Sequence, residues 1–183
     1  MAKSLRKSRA YIKKLFDRER ILSKVAPEGP HSFVFVLDRL KSGYNIPKLF
    51  RSAQALGCRK VILIGVSDFD PAPARGGFKQ TRSEFVEAPG LHELEKLSSE
   101  GYELFVLDPA GKENLFECQF PTKCAFILGH EEYGINPEIL KHSRVRTLAI
   151  PHWGRVQSLN VSIAGTLVAY EYLKQHRIKL DPV

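Results

Sequence analysis

No stretch of this sequence is long and apolar enough to span a membrane. A spanning helix needs ~18–20 nearly uncharged apolar residues, and here a charge or a polar cluster interrupts every apolar run sooner. The N-terminal MAKSLRKSRAYIKK lacks the apolar stretch of a secretory signal, so the chain is expected to stay in the cytoplasm and off the membrane. Cysteine is scarce. Cys58, Cys118 and Cys124 are odd in number and show no C-x-x-C spacing, which excludes a disulfide framework and gives no reason to expect a metal. Neither a G-x-G-x-x-G turn nor a Walker loop follows any candidate strand, which argues against the common dinucleotide and nucleoside-triphosphate sites.

What is present is the composition of an ordinary soluble globular protein: 183 residues, 43% hydrophobic and 26% charged. That length suits one core with an extension. The formal charge of +8 is unevenly distributed. Residues 1–27 hold nine cations against Asp17 and Glu19, leaving the rest of the chain nearly neutral. A short, strongly basic segment is the footprint of a polyanion, and RNA, DNA and an anionic membrane all fit it. Leu5, Ile12, Leu15, Phe16 and Leu22 recur at helix-like spacing among these cations, predicting an amphipathic helix over 3–25 docked by its apolar side. Ala26-Pro27-Glu28-Gly29-Pro30 then reads as a linker. The expected division is a basic helical extension with its linker over 1–30 and a body over 31–183.

In the body, apolar runs rich in branched residues alternate with helix-like stretches. FVFVL (33–37), VILIG (61–65), ELFVL (103–107), CAFILG (124–129) and VRTLAI (145–150) predict strands. Residues 46–57, 91–99, 136–142 and about 157–175 predict helices. Strands that are continuously hydrophobic are covered on both faces, which means a parallel α/β sheet. Ligands of such sheets sit beyond the carboxyl ends of the strands.

Three segments there carry chemistry. In the first, Asn45-Ile46-Pro47-Lys48-Leu49-Phe50-Arg51, Asn45 is placed to cap a helix and Arg51 lies one and a half turns on. The second, Ile127 to Ile135, ends a strand at Gly129 and closes a tight loop of Glu131, Glu132 and Gly134 whose backbone groups are free to hold a small ligand. In the third, Leu148 to Ala164, Ser158 and Asn160 open an otherwise apolar helix, where caps also sit. His130 and His152 flank these segments and are read as loop histidines, not general bases.

Together, in this order and spacing, and with the run SLNVS at 158–162, the three segments resemble the motifs of the SpoU (TrmH-like) branch of the SPOUT RNA methyltransferases. The resemblance covers about Phe33 to Leu173. It implies an α/β parallel-sheet SPOUT fold with a C-terminal deep trefoil knot, and a homodimer whose active sites are completed at the interface. The implied activity is 2′-O-methylation of ribose in transfer or ribosomal RNA, with S-adenosylmethionine as cofactor and S-adenosylhomocysteine as product. It further implies that Leu107, Gly129, Ile150 and Leu159 line the cofactor pocket, and that Asn45, Arg51, Glu131, Ser158 and Asn160 form the catalytic set. Pro47 stands where the family's first motif usually has glycine, and Pro71 to Gln80 departs from the usual serine- and alanine-rich stretch. Base methylation by the same fold, or RNA binding without catalysis, are the alternative readings.

Overall fold

The computed structural model describes residues 8–142 and 144–176. Seven strands form one sheet: β1 (His31–Asp38), β2 (Cys58–Ile64), β3 (Ser83–Val86), β4 (Glu103–Leu107), β5 (Glu113–Asn114), β6 (Cys124–Leu128) and β7 (Val145–Ala149). Their order is β3-β2-β1-β6-β4-β7-β5, and every pairing is parallel. Helices α1 (Arg9–Val25), α2 (Asn45–Ala55), α3 (Gly77–Gln80), α4 (Leu91–Ser99), α5 (Pro137–Leu140) and α6 (Val161–Gln175) cover both faces, with a short 3-10 turn at Ala72–Ala74.

The reason for two covered faces is visible in β1, where Phe33, Phe35 and Leu37 join one buried cluster and Val34 and Val36 the other. The first cluster includes Leu49 and Phe50 of α2 and Val168, Ala169 and Tyr172 of α6. The second includes Leu94 and Leu97 of α4 and Ile139 of α5. Successive strand residues point to opposite faces, so a strand buried on both sides must be apolar throughout.

All five strands predicted from the apolar runs form. β3 and β5 were not anticipated. The helix expected from about Gln157 instead starts at Val161, because Asn160 is extended (φ −56°, ψ 134°) and caps it, leaving Gln157–Leu159 as loop. Residues 3–7 of the predicted first helix lie outside the described residues. The remainder forms α1 and docks on α3 and β3. Phe16 is buried, its ring centroid 5.1 Å from Phe69, 5.7 Å from Phe78 and 5.9 Å from Phe85. Ser23 Oγ lies 2.6 Å from Ser83 Oγ, and the Arg20 guanidinium sits 4.3 Å from the Phe85 ring centroid. α1 therefore shares the core of the body and is not a free arm.

Helix α6 lies very close to α2 and β6. A Cβ at Gly165 would come within 2.6 Å of Leu49 and 2.9 Å of Leu128, so only glycine lets the helix approach this near. That approach brings the α2 and α6 N-termini together at the carboxyl end of the sheet. Among the described residues no helix is long and apolar enough to cross a membrane, and no cluster of His, Cys, Asp and Glu could hold a metal ion.

Candidate active site

The carboxyl ends of β4, β6 and β7 surround a cavity of about 530 Å³, a size suited to a small-molecule ligand. Leu107, Leu128, Leu148, Ile150 and Leu159 give it apolar walls, and Gly129, Glu131, Ser158 and Asn160 complete much of the rest. Seven of the nine residues singled out in the sequence thus line one cavity.

Gly129 is required by the loop geometry. A Cβ there would lie 2.7 Å from the Gly134 carbonyl carbon and the Ile135 nitrogen. The loop folds back so tightly because His130 and Gly134 exchange backbone hydrogen bonds of 3.0 and 2.9 Å. The ring of His130 is used inside the same loop, its Nδ1 accepting from the amides of Glu132 (3.1 Å) and Tyr133 (3.3 Å). His152 braces its own loop, with ring nitrogens 3.3 Å from the Ile150 oxygen and 3.0 Å from the Val156 oxygen. Both histidines line the cavity, but Nδ1 of His130 and both ring nitrogens of His152 are engaged in holding loops.

Side chains from all three motifs meet at the cavity rim. Asn45 Nδ2 donates to Glu131 Oε1 at 2.8 Å, and Asn160 Nδ2 donates to Asn45 Oδ1 at 3.1 Å. The other Glu131 oxygen accepts from the Lys41 amide at 3.1 Å. Asn160 Oδ1 in turn accepts from the Ser162 amide (3.0 Å) and hydroxyl (2.6 Å). Of the two caps expected from local sequence, one forms and one does not. Asn45 does not cap α2: that helix begins with Tyr44 at the cap position and no side-chain cap bond, because the Asn45 amide is drawn across to Glu131 and Asn160. Asn160 caps α6 and belongs to the rim network as well. Ser158 makes no hydrogen bond among the described residues and is exposed toward the cavity.

Arg51 is placed differently. It is exposed on α2 and does not line the cavity of its own chain. Its neighbour Ser52 is 2.8 Å from the Thr166 hydroxyl, which fixes α2 to α6 about two turns beyond the Asn45–Asn160 contact.

Several contributors were not legible in the sequence. Buried Asp38 at the end of β1 binds Arg39 at 3.0 and 3.1 Å and accepts from the Asn136 amide at 2.8 Å, tying β1 to the loop that carries Glu131. The Lys41 ammonium pairs with Glu132, which holds that carboxyl below its usual range and raises the lysine. The Asp that closes an apolar strand was the available signal for the first of these. Asp108 also stands at the cavity, its Oδ1 accepting from the Ala110 amide at 2.8 Å.

A parallel α/β sheet with an apolar cavity beyond its strand ends, rimmed by carboxylates and amides, defines a protein that binds a small organic ligand at a loop-built site. Comparison with known proteins narrows this class. The chain belongs to the SpoU rRNA Methylase family, whose model matches residues 32–170. It is 25% identical over 161 residues to the 23S rRNA (guanosine-2'-O-)-methyltransferase RlmB of Neisseria meningitidis serogroup B, covering 82% of this chain and 61% of that protein. Among solved structures, one described as giving insights into 2-OH methylation of C/U34 on tRNA superposes with a TM-score of 0.69 at 30% identity, covering 81% of this chain and 98% of the other. The SpoU methyltransferase AviRb of Streptomyces viridochromogenes, solved with AdoMet, gives a TM-score of 0.68 at 25% identity over 85% of this chain and 61% of that one.

Proposed function

We propose that this chain transfers a methyl group from S-adenosylmethionine to a ribose 2′-hydroxyl of a structured RNA. The observation that carries the reading is the single cavity onto which all three motifs converge, joined at its rim by Asn45, Glu131 and Asn160. The cavity fits the cofactor chemically. Apolar walls with free backbone at Gln157–Leu159 suit a neutral adenine, and the carboxylates of Asp108 and Glu131 suit the cationic end. Leu107, Gly129, Ile150 and Leu159 would hold the ring. Once bound, the cofactor supplies an electrophilic methyl on a sulfonium.

The protein's own residues align the acceptor and manage its proton. Alignment alone is worth roughly 7–11 kcal/mol of barrier. Glu131 and the two asparagines hold the loops in one arrangement, and Ser158 presents a free hydroxyl to the substrate side. Arg51 brings a planar cation with a fork of N–H donors. It therefore positions the RNA phosphate and stabilises the developing alkoxide, while water or phosphate takes the proton.

Because Arg51 stands outside its own chain's cavity, the active site is completed in a homodimer. An exposed apolar stripe on α6, formed by Ile163, Leu167 and Tyr170 at helical spacing, supports this assembly. A knotted crossing of the C-terminal segment is supported by the seating of α6 against the segment after β5. There Tyr172 donates to the Thr122 carbonyl at 2.6 Å, and Gln175 bonds both Cys118 and Phe120. The cations of α1 serve to attract RNA. Incubating the protein with total RNA and labelled cofactor, then identifying the modified nucleoside by mass, tests the reading: a 2′-O-methyl nucleoside is expected, and a methylated base or no product overturns it.

A further inference from the structure

Two large aromatic side chains stand in solvent beside the cavity without a part in the network described. Trp153 is 86% exposed and Phe116 63%. Their ring centroids are 6.2 Å apart and their planes within 26° of parallel. The rings come from different elements that the sheet brings together. β5 pairs with β7 at Asn114 and Ala149, the Leu115 amide donates to the Ala149 oxygen at 2.9 Å, and Phe116 follows. Trp153 follows β7, one residue beyond cavity-lining His152.

The backbone that carries each ring is braced. The Phe116 amide donates to Asn114 Oδ1 at 2.9 Å, and His152 bridges the carbonyls on either side of the Trp153 loop. A Cβ at Gly154 would meet nothing within 4 Å, so the loop projects into open space.

We propose that Phe116 and Trp153 form a stacking platform for an unpaired base of the substrate RNA next to the ribose that is methylated. This inference rests on the RNA methyltransferase reading. Unpaired bases are recognised by stacking on exposed aromatic rings, a contact that tolerates any base. The platform lies a few residues from the cavity, and exposed Arg155 beside it supplies a cation for the adjoining phosphate. An oligomer contact would need an apolar surround, whereas Arg155, Gln157 and Ser158 make most of this rim polar and exposed, with Val156 the exposed apolar residue among them.

Trp153 is the single tryptophan of the sequence, so intrinsic fluorescence reports on this position alone. Titrating the full chain with a single-stranded oligoribonucleotide is expected to quench the emission, while a duplex of the same sequence or S-adenosylmethionine alone leaves it unchanged. Trp153→Ala and Phe116→Ala are each expected to raise KM for RNA about tenfold, the loss of one stacked base. Cofactor affinity by calorimetry should stay constant, and Trp153→Phe should recover most of the loss. Absence of quenching, quenching by the cofactor alone, or an emission shift on protein dilution without RNA each overturns the platform. The fluorescence measurement needs no turnover. A chain that binds single strands with quenching yet methylates nothing refutes the methyltransferase reading, and one that methylates RNA without quenching refutes only the platform.

Discussion

Glu131 accepts one hydrogen bond from each of two groups in the chain after β1, the Asn45 amide and the Lys41 backbone. It is exposed, so removing it opens no cavity in the core. Glu131→Ala should therefore lower kcat/KM by about tenfold to a hundredfold, the range for losing charge-assisted hydrogen bonds, with little change in Tm. Steady-state kinetics paired with a thermal melt check this, and a Tm drop matching the activity loss would reassign Glu131 to fold maintenance. Gly129→Ala acts differently, because a methyl 2.7 Å from the Gly134 backbone forces the loop open. Cofactor binding by calorimetry should be lost at this position even though the strand it ends, buried throughout, remains. Asp38 is the residue whose importance is least visible in sequence. It reads as the polar end of an apolar strand until the structure brings Asn136, 98 positions away, onto its carboxylate.

At the scale of elements, strand content was legible because a strand buried on both faces has to be apolar at consecutive positions, as Phe33 to Leu37 are. β3 and β5 escaped because four and two residues at a sheet edge leave no such run. Seven of the nine residues taken from the family resemblance line the cavity, while Asn45 and Arg51 do not. Local sequence rules alone made Asn45 a cap, since capping is judged from neighbours and the partners that claim its side chain come from residues 131 and 160. Helix α1 shows what charge alone conceals. Its cations and a docking apolar side with Phe16 were visible, but the three phenylalanines from beyond the linker that receive Phe16 were not. Cutting α1 away would expose that core, so its role in RNA binding is tested by substitution. Replacing exposed Lys14, Arg18 and Lys24 with glutamine should weaken RNA binding and shallow its salt dependence by roughly 0.7–0.9 per contacting charge, with Tm preserved. Phe16→Ala should instead destabilise by about 3–5 kcal/mol. The sheet edge carries its own pH signature. Arg146 hydrogen-bonds Glu113 at 2.7 Å and holds that carboxyl below its ordinary 4.5. The folded state thus favours the ionised form, and the stabilisation is complete above that ordinary value and lost as pH falls through the depressed one. Glu113→Gln should flatten the acid limb of a stability–pH curve.

For the whole molecule, the position of Arg51 decides how many chains make one active site. Within one chain α2 presents Arg51 to solvent while Asn160, at the start of the helix packed beside it, faces the cavity. If each site takes its guanidinium from the second copy, Arg51→Ala and Asn160→Ala damage different halves of a shared site. Each variant alone should be nearly inactive. Mixed and allowed to exchange subunits, they should regain about a quarter of normal activity, because half of the dimers then contain one intact site of two. Leu167→Glu, on the exposed stripe of α6, should abolish both the dimer in sedimentation and the rescue. Mixing that restores nothing, in a preparation shown to exchange, would mean that each chain supplies its own arginine and that α2 must move to bring it to the cavity.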